Sequence, residues 1–184
     1  MTQTPWRPTR QQLLQAQGKH VRDLIATGLR VVFCGINPGL YSAAVSHHFA
    51  RPGNRFWPAL HLGGFTPTLM SPFDEQQLLN LGLGITNIVE RATAGAAELT
   101  RDDLQAGAKR LRRKIKRYQP EWLAILGVGA YRVAFNQPDA KVGRQDQTIG
   151  STRIWVLPNP SGLNAHYLVA DLGAMFAQLN RAAR

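Results

Sequence analysis

An α/β domain built on a mainly parallel sheet is the fold class that the sequence predicts, on two observations. Compact β-branched or apolar runs occur four times along the chain, and helix-forming stretches alternate with them. Two of those runs end in Asn-Pro turns, which a parallel sheet presents together on the edge formed by its strands' carboxyl ends, where ligands bind in such sheets.

Each element follows in order. From Thr9 to Thr27, Leu13, Leu14, Val21, Leu24 and Ile25 recur at roughly helical spacing, so an amphipathic helix is expected there, stopped by Gly28. Leu29 to Ile36 is a buried strand that runs into the sharp turn Asn37-Pro38-Gly39. Asn54 can cap a helix starting near Arg55-Phe56-Trp57. Gly84 to Val89 forms the second strand. Leu104 to Tyr118 forms a helix with Leu104, Leu111 and Ile115 on one face, closed by Pro120. The third strand is Trp122 to Gly127, and the fourth, Arg153 to Leu157, ends in Pro158-Asn159-Pro160-Ser161-Gly162. A last helix covers about Asn164 to Arg184. The expected organisation is a helical extension over residues 1–28 and one domain over residues 29–184.

Composition narrows the function. The chain has 184 residues, 44% of them apolar and 18% charged, as suits one globular domain with a sizeable core. Its single cysteine, Cys34, excludes an internal disulfide framework and a multi-cysteine zinc site, and suits a reducing compartment. No apolar run approaches the roughly 20 residues of a membrane helix, and the first residues lack a secretory h-region. A cytoplasmic protein with no membrane association is expected. Lys and Arg total 22 against 11 Asp and Glu, a formal charge of +11 that favours polyanionic partners, because basic contacts release counterions condensed on phosphates. The densest basic run, Lys109 to Arg117, reads first as the solvated face of its helix, ahead of a DNA track.

In Gly35-Ile36-Asn37-Pro38-Gly39 the glycines permit close backbone approach, and Pro38 stiffens the turn. Asn37 offers an amide but no proton-abstracting base; it either satisfies its own turn or faces a ligand. The spacing is not that of a Gly-x-Gly-x-x-Gly dinucleotide loop, and no phosphate-loop lysine follows.

Three segments, "VVFCGINPGL", "HHFARPGNRFW" and "VLPNPSGLN", with "GITNIVERAT" and "YQPEWLAILG" in order between the outer two, closely resemble the mismatch-specific uracil/thymine-DNA glycosylases of the uracil-DNA glycosylase superfamily. The resemblance runs from about Leu29 into the last helix. It implies a three-layer α/β/α fold with a four-stranded sheet in the order 2-1-3-4. It also implies a monomeric, cofactor-free and metal-free hydrolase in base excision repair. Such an enzyme flips uracil, or less readily thymine, out of a mismatch with guanine in double-stranded DNA and hydrolyses its bond to deoxyribose. Extrusion costs a few kcal/mol, and less where pairing is already poor.

By that resemblance Asn37 positions the attacking water, and Glu90, in "NIVER", is a second catalytic candidate, with a helix-start charge or an Arg91 partner as the plainer alternatives. The base pocket comprises Gly35, Ile36, Ser42, Phe49 and Asn87: Phe49 stacks on the flipped base, main chain at Ile36 and Phe49 reads its edge, and Ser42 crowds a thymine methyl. His47-His48 resembles the thymine-handling branch, and as a metal pair it lacks a third ligand. The resemblance also implies that Leu163 is the wedge that fills the vacated space, with a staple against the following helix as the plainer alternative, that main chain near Gly162 and Asn164 reads the orphaned guanine, with Asn164 as a helix N-cap the alternative, and that Asn159 and Ser161 order the loop or hold phosphate. Ala165-His166-Tyr167 follows where some relatives carry an Arg. Arg51 and Arg55 are the expected phosphate contacts. The rival readings are a lesion- or abasic-DNA binding protein with negligible turnover, and a small-molecule enzyme holding a mononucleotide in the Asn37 loop.

Overall fold

The structure is a computed structural model that describes residues 7–164 and 166–184. Its centre is a sheet of five strands in the order β2-β1-β3-β5-β4, comprising β1 (Val31–Gly35), β2 (Leu83–Asn87), β3 (Trp122–Leu126), β4 (Gly143–Ile149) and β5 (Thr152–Leu157). The first three and β5 run parallel, in the predicted 2-1-3-4 order of the sequence-visible strands. The fifth strand is the correction: β4 pairs antiparallel with β5 on the sheet edge. Its sequence, GRQDQTI, buries only Ile149, so no apolar alternation marks it as a strand.

β1, β2 and β3 are buried at every position, as strands covered on both faces must be. Alternate residues feed two cores. Val31, Phe33, Leu83, Ile85, Trp122 and Ala124 pack with α3 (Phe56–Leu62) and α6 (Val169–Ala182) through Phe56, Leu60, Leu172 and Phe176. Val32, Cys34, Leu123, Ile125, Ile154 and Val156 pack with Ala108, Leu111 and Ile115 of α4 (Arg101–Tyr118) and Tyr131 of α5 (Val128–Ala134). The result is three layers. α4 is capped by Thr100, which accepts from the Asp103 N–H while the Asp103 carboxylate accepts from the Thr100 N–H. Arg55, not the expected Asn54, is the N-cap of α3; Asn54 Oδ1, one residue earlier, accepts from the Phe56 N–H at 2.9 Å.

The long N-terminal helix is a second correction. α1 covers Arg10–Leu14 alone, after which Gly18 takes a φ of +75°. Leu24 then exchanges two backbone hydrogen bonds with Ile85, at 2.9 and 2.7 Å, on the outer edge of β2. An extended segment buries Val21 and Leu24 as effectively as a helix would, and it also covers unpaired groups on a sheet edge. The final helix starts at Val169, a turn later than expected.

Candidate active site

The loops after β1, β2 and β5 meet over the carboxyl ends of the strands and enclose a cleft of about 140 Å³. That is well below the roughly 300–1,000 Å³ of pockets for drug-sized molecules and suits a single small ring. Asn37, Phe49, Asn87 and Leu163 all line it.

The Asn37 loop is stitched to the segment following β2. The Ile88 and Val89 N–H groups donate to Gly35 O and Ile36 O, both at 2.9 Å, and the Thr93 N–H donates to Pro38 O. The Asn37 amide nitrogen donates to Arg91 O at 3.0 Å and to Thr93 Oγ1 at 2.7 Å. A carbonyl only accepts, so the contact to Arg91 fixes which end of the amide is nitrogen. Asn37 Oδ1 has no donor among the described residues and remains an oriented acceptor. Thr93 in turn donates to Gly95 O at 2.8 Å, which leaves its oxygen free to receive Asn37. Thr93 is the functional residue that sequence reasoning missed; its only signal was its place in the "ERAT" segment.

Phe49 adopts a positive φ of 52°, an unusual conformation for a bulky residue and a mark of a constrained loop. Phe56 supports its ring in a stack with centroids 4.1 Å apart. Ser42 lines the cleft, and its Oγ accepts from the Ala50 N–H at 3.1 Å, so this hydroxyl also anchors the Phe49 loop. The Phe49 N–H has no acceptor among the described residues, which leaves a donor beside the ring.

Asn87 is 6% exposed, yet no described residue bonds its side-chain amide; the residue borders the cleft. Its polar atoms are open to the cleft, where the edge of a ligand can bond them. Gly35 makes this packing possible. A Cβ there would lie 2.5 Å from Asn87 Oδ1 and 3.2 Å from Phe49 Cζ. Gly35→Ala is therefore expected to cost about 1–3 kcal/mol of stability, as overpacked sites do. It should also lower single-turnover activity by more than tenfold, and a thermal melt run beside the kinetic assay separates the two losses.

The second loop carries Asn159, Ser161 and Leu163 into the cleft lining. Leu163 is 75% exposed, an apolar side chain left at the mouth. Asn159 Oδ1 accepts from the Ser161 N–H, and Asn164 Nδ2 donates to Asn159 O, both at 3.0 Å. Gly162 sits so close to the neighbouring loop that a Cβ would lie 2.7 Å from Gly53 O. Gly162 and Asn164 thus belong to the loop without lining the cleft. The Asn164 N–H donates to Ser161 O and its carbonyl accepts from Arg55, so its main chain is already engaged within the loop.

Two expected roles need correction. Arg55 is not a free phosphate contact: its guanidinium donates to the carbonyls of Ser161, Asn164 and Tyr167, and its backbone N–H donates to Pro160 O at 3.0 Å. The residue ties the Leu163 loop to the start of α3. Arg51, exposed and without an ion pair among the described residues, stays at the rim of the cleft. Glu90 lies outside the cleft lining. Its carboxylate meets Lys114 Nζ at 3.2 Å and His20 at 3.9 Å, while Arg91 pairs with Asp103 at 2.8 Å. Lys114, itself paired with Asp23, holds Glu90 toward α4.

His48 is the lining residue whose burial matters electrostatically. Burial lowers its pKa from the ordinary imidazole value, by more than the Glu75 carboxylate and the 3.0 Å bond from its Nε2 to Arg22 O raise it, which favours the neutral ring. His47 is held away by Glu75 at 3.0 Å, and among the described residues no group of three potential ligands could hold a metal ion.

The lining contains no carboxylate and no lysine among the described residues. What it offers is an oriented amide acceptor, a supported aromatic ring, a second amide that borders the cleft, and an exposed leucine on a tethered loop. A family model, the uracil DNA glycosylase superfamily, matches residues 23–184 of the chain. Within that span lie both Asn-Pro loops, every strand of the sheet and all residues of the cleft, and the chain belongs to the uracil-DNA glycosylase superfamily.

Proposed function

We propose that the protein is a monofunctional, mismatch-directed DNA glycosylase, one that everts uracil from a pair with guanine and hydrolyses its N-glycosylic bond in base excision repair. Superfamily membership carries the coarser part, a DNA glycosylase acting on uracil. The observation that carries the finer reading is the Asn37 amide, pinned at its nitrogen and left to accept at its oxygen, on one cleft with Phe49 and Leu163.

Such an amide orients water without deprotonating it. Bond breaking therefore runs ahead of attack: the sugar gains oxocarbenium character, the base leaves as an anion, and the water held at Asn37 Oδ1 adds to the anomeric carbon, releasing its proton to solvent. Donors beside the ring, the Phe49 N–H and the Asn87 amide, stabilise charge on the departing base. Leu163 fills the vacated space, and Arg51 meets a flanking phosphate. A site that extracts bases slowly in this way gains most where the pair is already weak, which favours mismatches. With no amine among the described lining residues, an imine with the sugar has no obvious source, and the product is an intact abasic site.

The test is a panel of duplexes with one G·U, A·U or G·T pair under single-turnover conditions. Excision is expected fastest at G·U, and equal rates at G·U and A·U would remove the mismatch preference. A pH profile gives a second check. With no carboxylate base in the cleft and His48 already neutral, the chemical step is expected to be flat from about pH 6.5 to 9. Below that range stability, not chemistry, should fall. The depressed pKa of His48 means that the unfolded chain binds the proton first, and its contribution is lost as pH drops below about 6.5. An inflection in the chemical step near pH 7 or above would instead demand a titrating base.

A further inference from the structure

The outward face of α4 carries six cations that the cleft does not use: the exposed Lys109, Arg110, Arg113, Lys116 and Arg117, and the half-buried Arg112, whose guanidinium lies 4.8 Å from the centre of the Phe135 ring. At 3.6 residues per turn they fall within an arc of roughly 160°, centred opposite the buried Leu111. No carboxylate pairs with any of them among the described residues: Asp103 pairs with Arg91, and Asp23 and Glu90 with Lys114, while Asp102 of the first turn lies seven residues before Lys109. Arg22, also without an ion pair among the described residues, joins Arg113, Arg117 and Tyr118 around a groove beside the helix. Cations in a last turn complement the helix dipole, which accounts for Lys116 and Arg117 but not for Lys109, Arg110 or Arg113.

The placement is informative. The second turn of α4 lies at the carboxyl edge of the sheet, where a Cβ on Gly107 would come within 2.3 Å of Ile88 O, just past β2. The helix ends at the opposite edge, where Tyr118 O accepts from the N–H of Gly28, just before β1. Eighteen residues span about 27 Å, so the basic face leads away from the cleft.

We propose that this face and the Arg22 groove form a second DNA-backbone surface, which holds a duplex segment other than the one in the cleft. The occupant is a phosphate backbone because guanidinium and ammonium groups with no counter-ion on the protein are what a counterion-condensed polyanion rewards. The proposal needs only DNA as substrate and is independent of mismatch preference.

The experiment compares the wild type with the variant K109Q/R113Q/K116Q/R117Q, and with the single reversal Arg113→Glu in case the multiple variant folds poorly. Protein saturated with a duplex carrying an abasic site is offered a second, fluorescent, undamaged duplex. The wild type is expected to capture it and the glutamine variant to lose capture by at least tenfold. The slope of log affinity for undamaged duplex against log salt should flatten by about 3–4, near 0.9 for each phosphate no longer neutralised. Single-turnover excision from a short duplex should stay within twofold. No capture by the saturated wild type, or an unchanged salt slope, overturns the proposal. So does displacement of the second duplex by polyglutamate with the slope intact, which would mark the face as a site for acidic protein. Loss of uracil excision in the wild type would sink the glycosylase reading and leave this one standing, since capture and slope do not depend on turnover.

Discussion

Asn37→Ala is expected to lower the single-turnover rate of uracil excision from a G·U duplex by about 10²–10³-fold, roughly 3–4 kcal/mol, with duplex affinity changed less than threefold. The size follows from what is removed. The amide makes two hydrogen bonds that serve only to aim it, at 3.0 Å to Arg91 O and 2.7 Å to Thr93 Oγ1, and the aimed oxygen has no partner among the described residues. Truncation deletes the acceptor that holds the nucleophile in place but touches neither the wedge nor the ring, so binding and chemistry should separate. Asn37→Asp sharpens the test. A carboxylate cannot donate to Arg91 O, and facing a carbonyl it is repelled, so the isosteric change should recover little of the rate despite supplying a base. Thr93→Val should fall between, because it frees one of the two bonds that aim the amide. An Asp variant at the wild-type rate would show that orientation is not what Asn37 contributes.

The parts of this site that the sequence exposed are those in which a short motif fixes its own geometry. Gly35 to Gly39 and Asn159 to Leu163 each follow a buried strand, and parallel strands deliver both to one edge, so their convergence follows from topology. The two misplacements, Glu90 and Arg55, have a common cause: each lies beyond the regular strand, where direction is set by partners distant in sequence. Glu90 is drawn to Lys114 and Arg55 to carbonyls more than a hundred residues away, and neither pairing has a local signature. The N-terminal segment fails differently. Val21 and Leu24 satisfy a helical period, but Leu24 finds a free strand edge at Ile85, and tertiary pairing overrides a spacing that is only approximate. β4 is silent because an edge strand with one buried residue has little hydrophobic pattern to show.

Arg55→Ala is expected to be the most damaging substitution outside the Asn37 shell, with kcat/KM on a G·U duplex reduced by about 10²-fold through poorer engagement of DNA. Three carbonyls of the wedge loop converge on one guanidinium, and the backbone of the same residue secures Pro160. Removing the side chain leaves those carbonyls to water and frees Leu163 from a loop that is otherwise pre-shaped for its proposed role as wedge. Ordering that loop must then be done at each encounter, at about 0.5–1.5 kcal/mol for every side chain newly immobilised. Lysine supplies charge but not the planar fork, so Arg55→Lys should recover less than half of the loss in free energy. The discriminating readout is substrate form. Uracil in a single strand needs no wedge, so the variant's deficit should shrink to within a few-fold there while remaining large on the duplex. Asn37→Ala should instead be equally deficient on both. If Arg55→Ala lost the same factor on single and double strands, the guanidinium would be acting on chemistry or on overall folding, and a melt showing an unchanged midpoint would leave only the first.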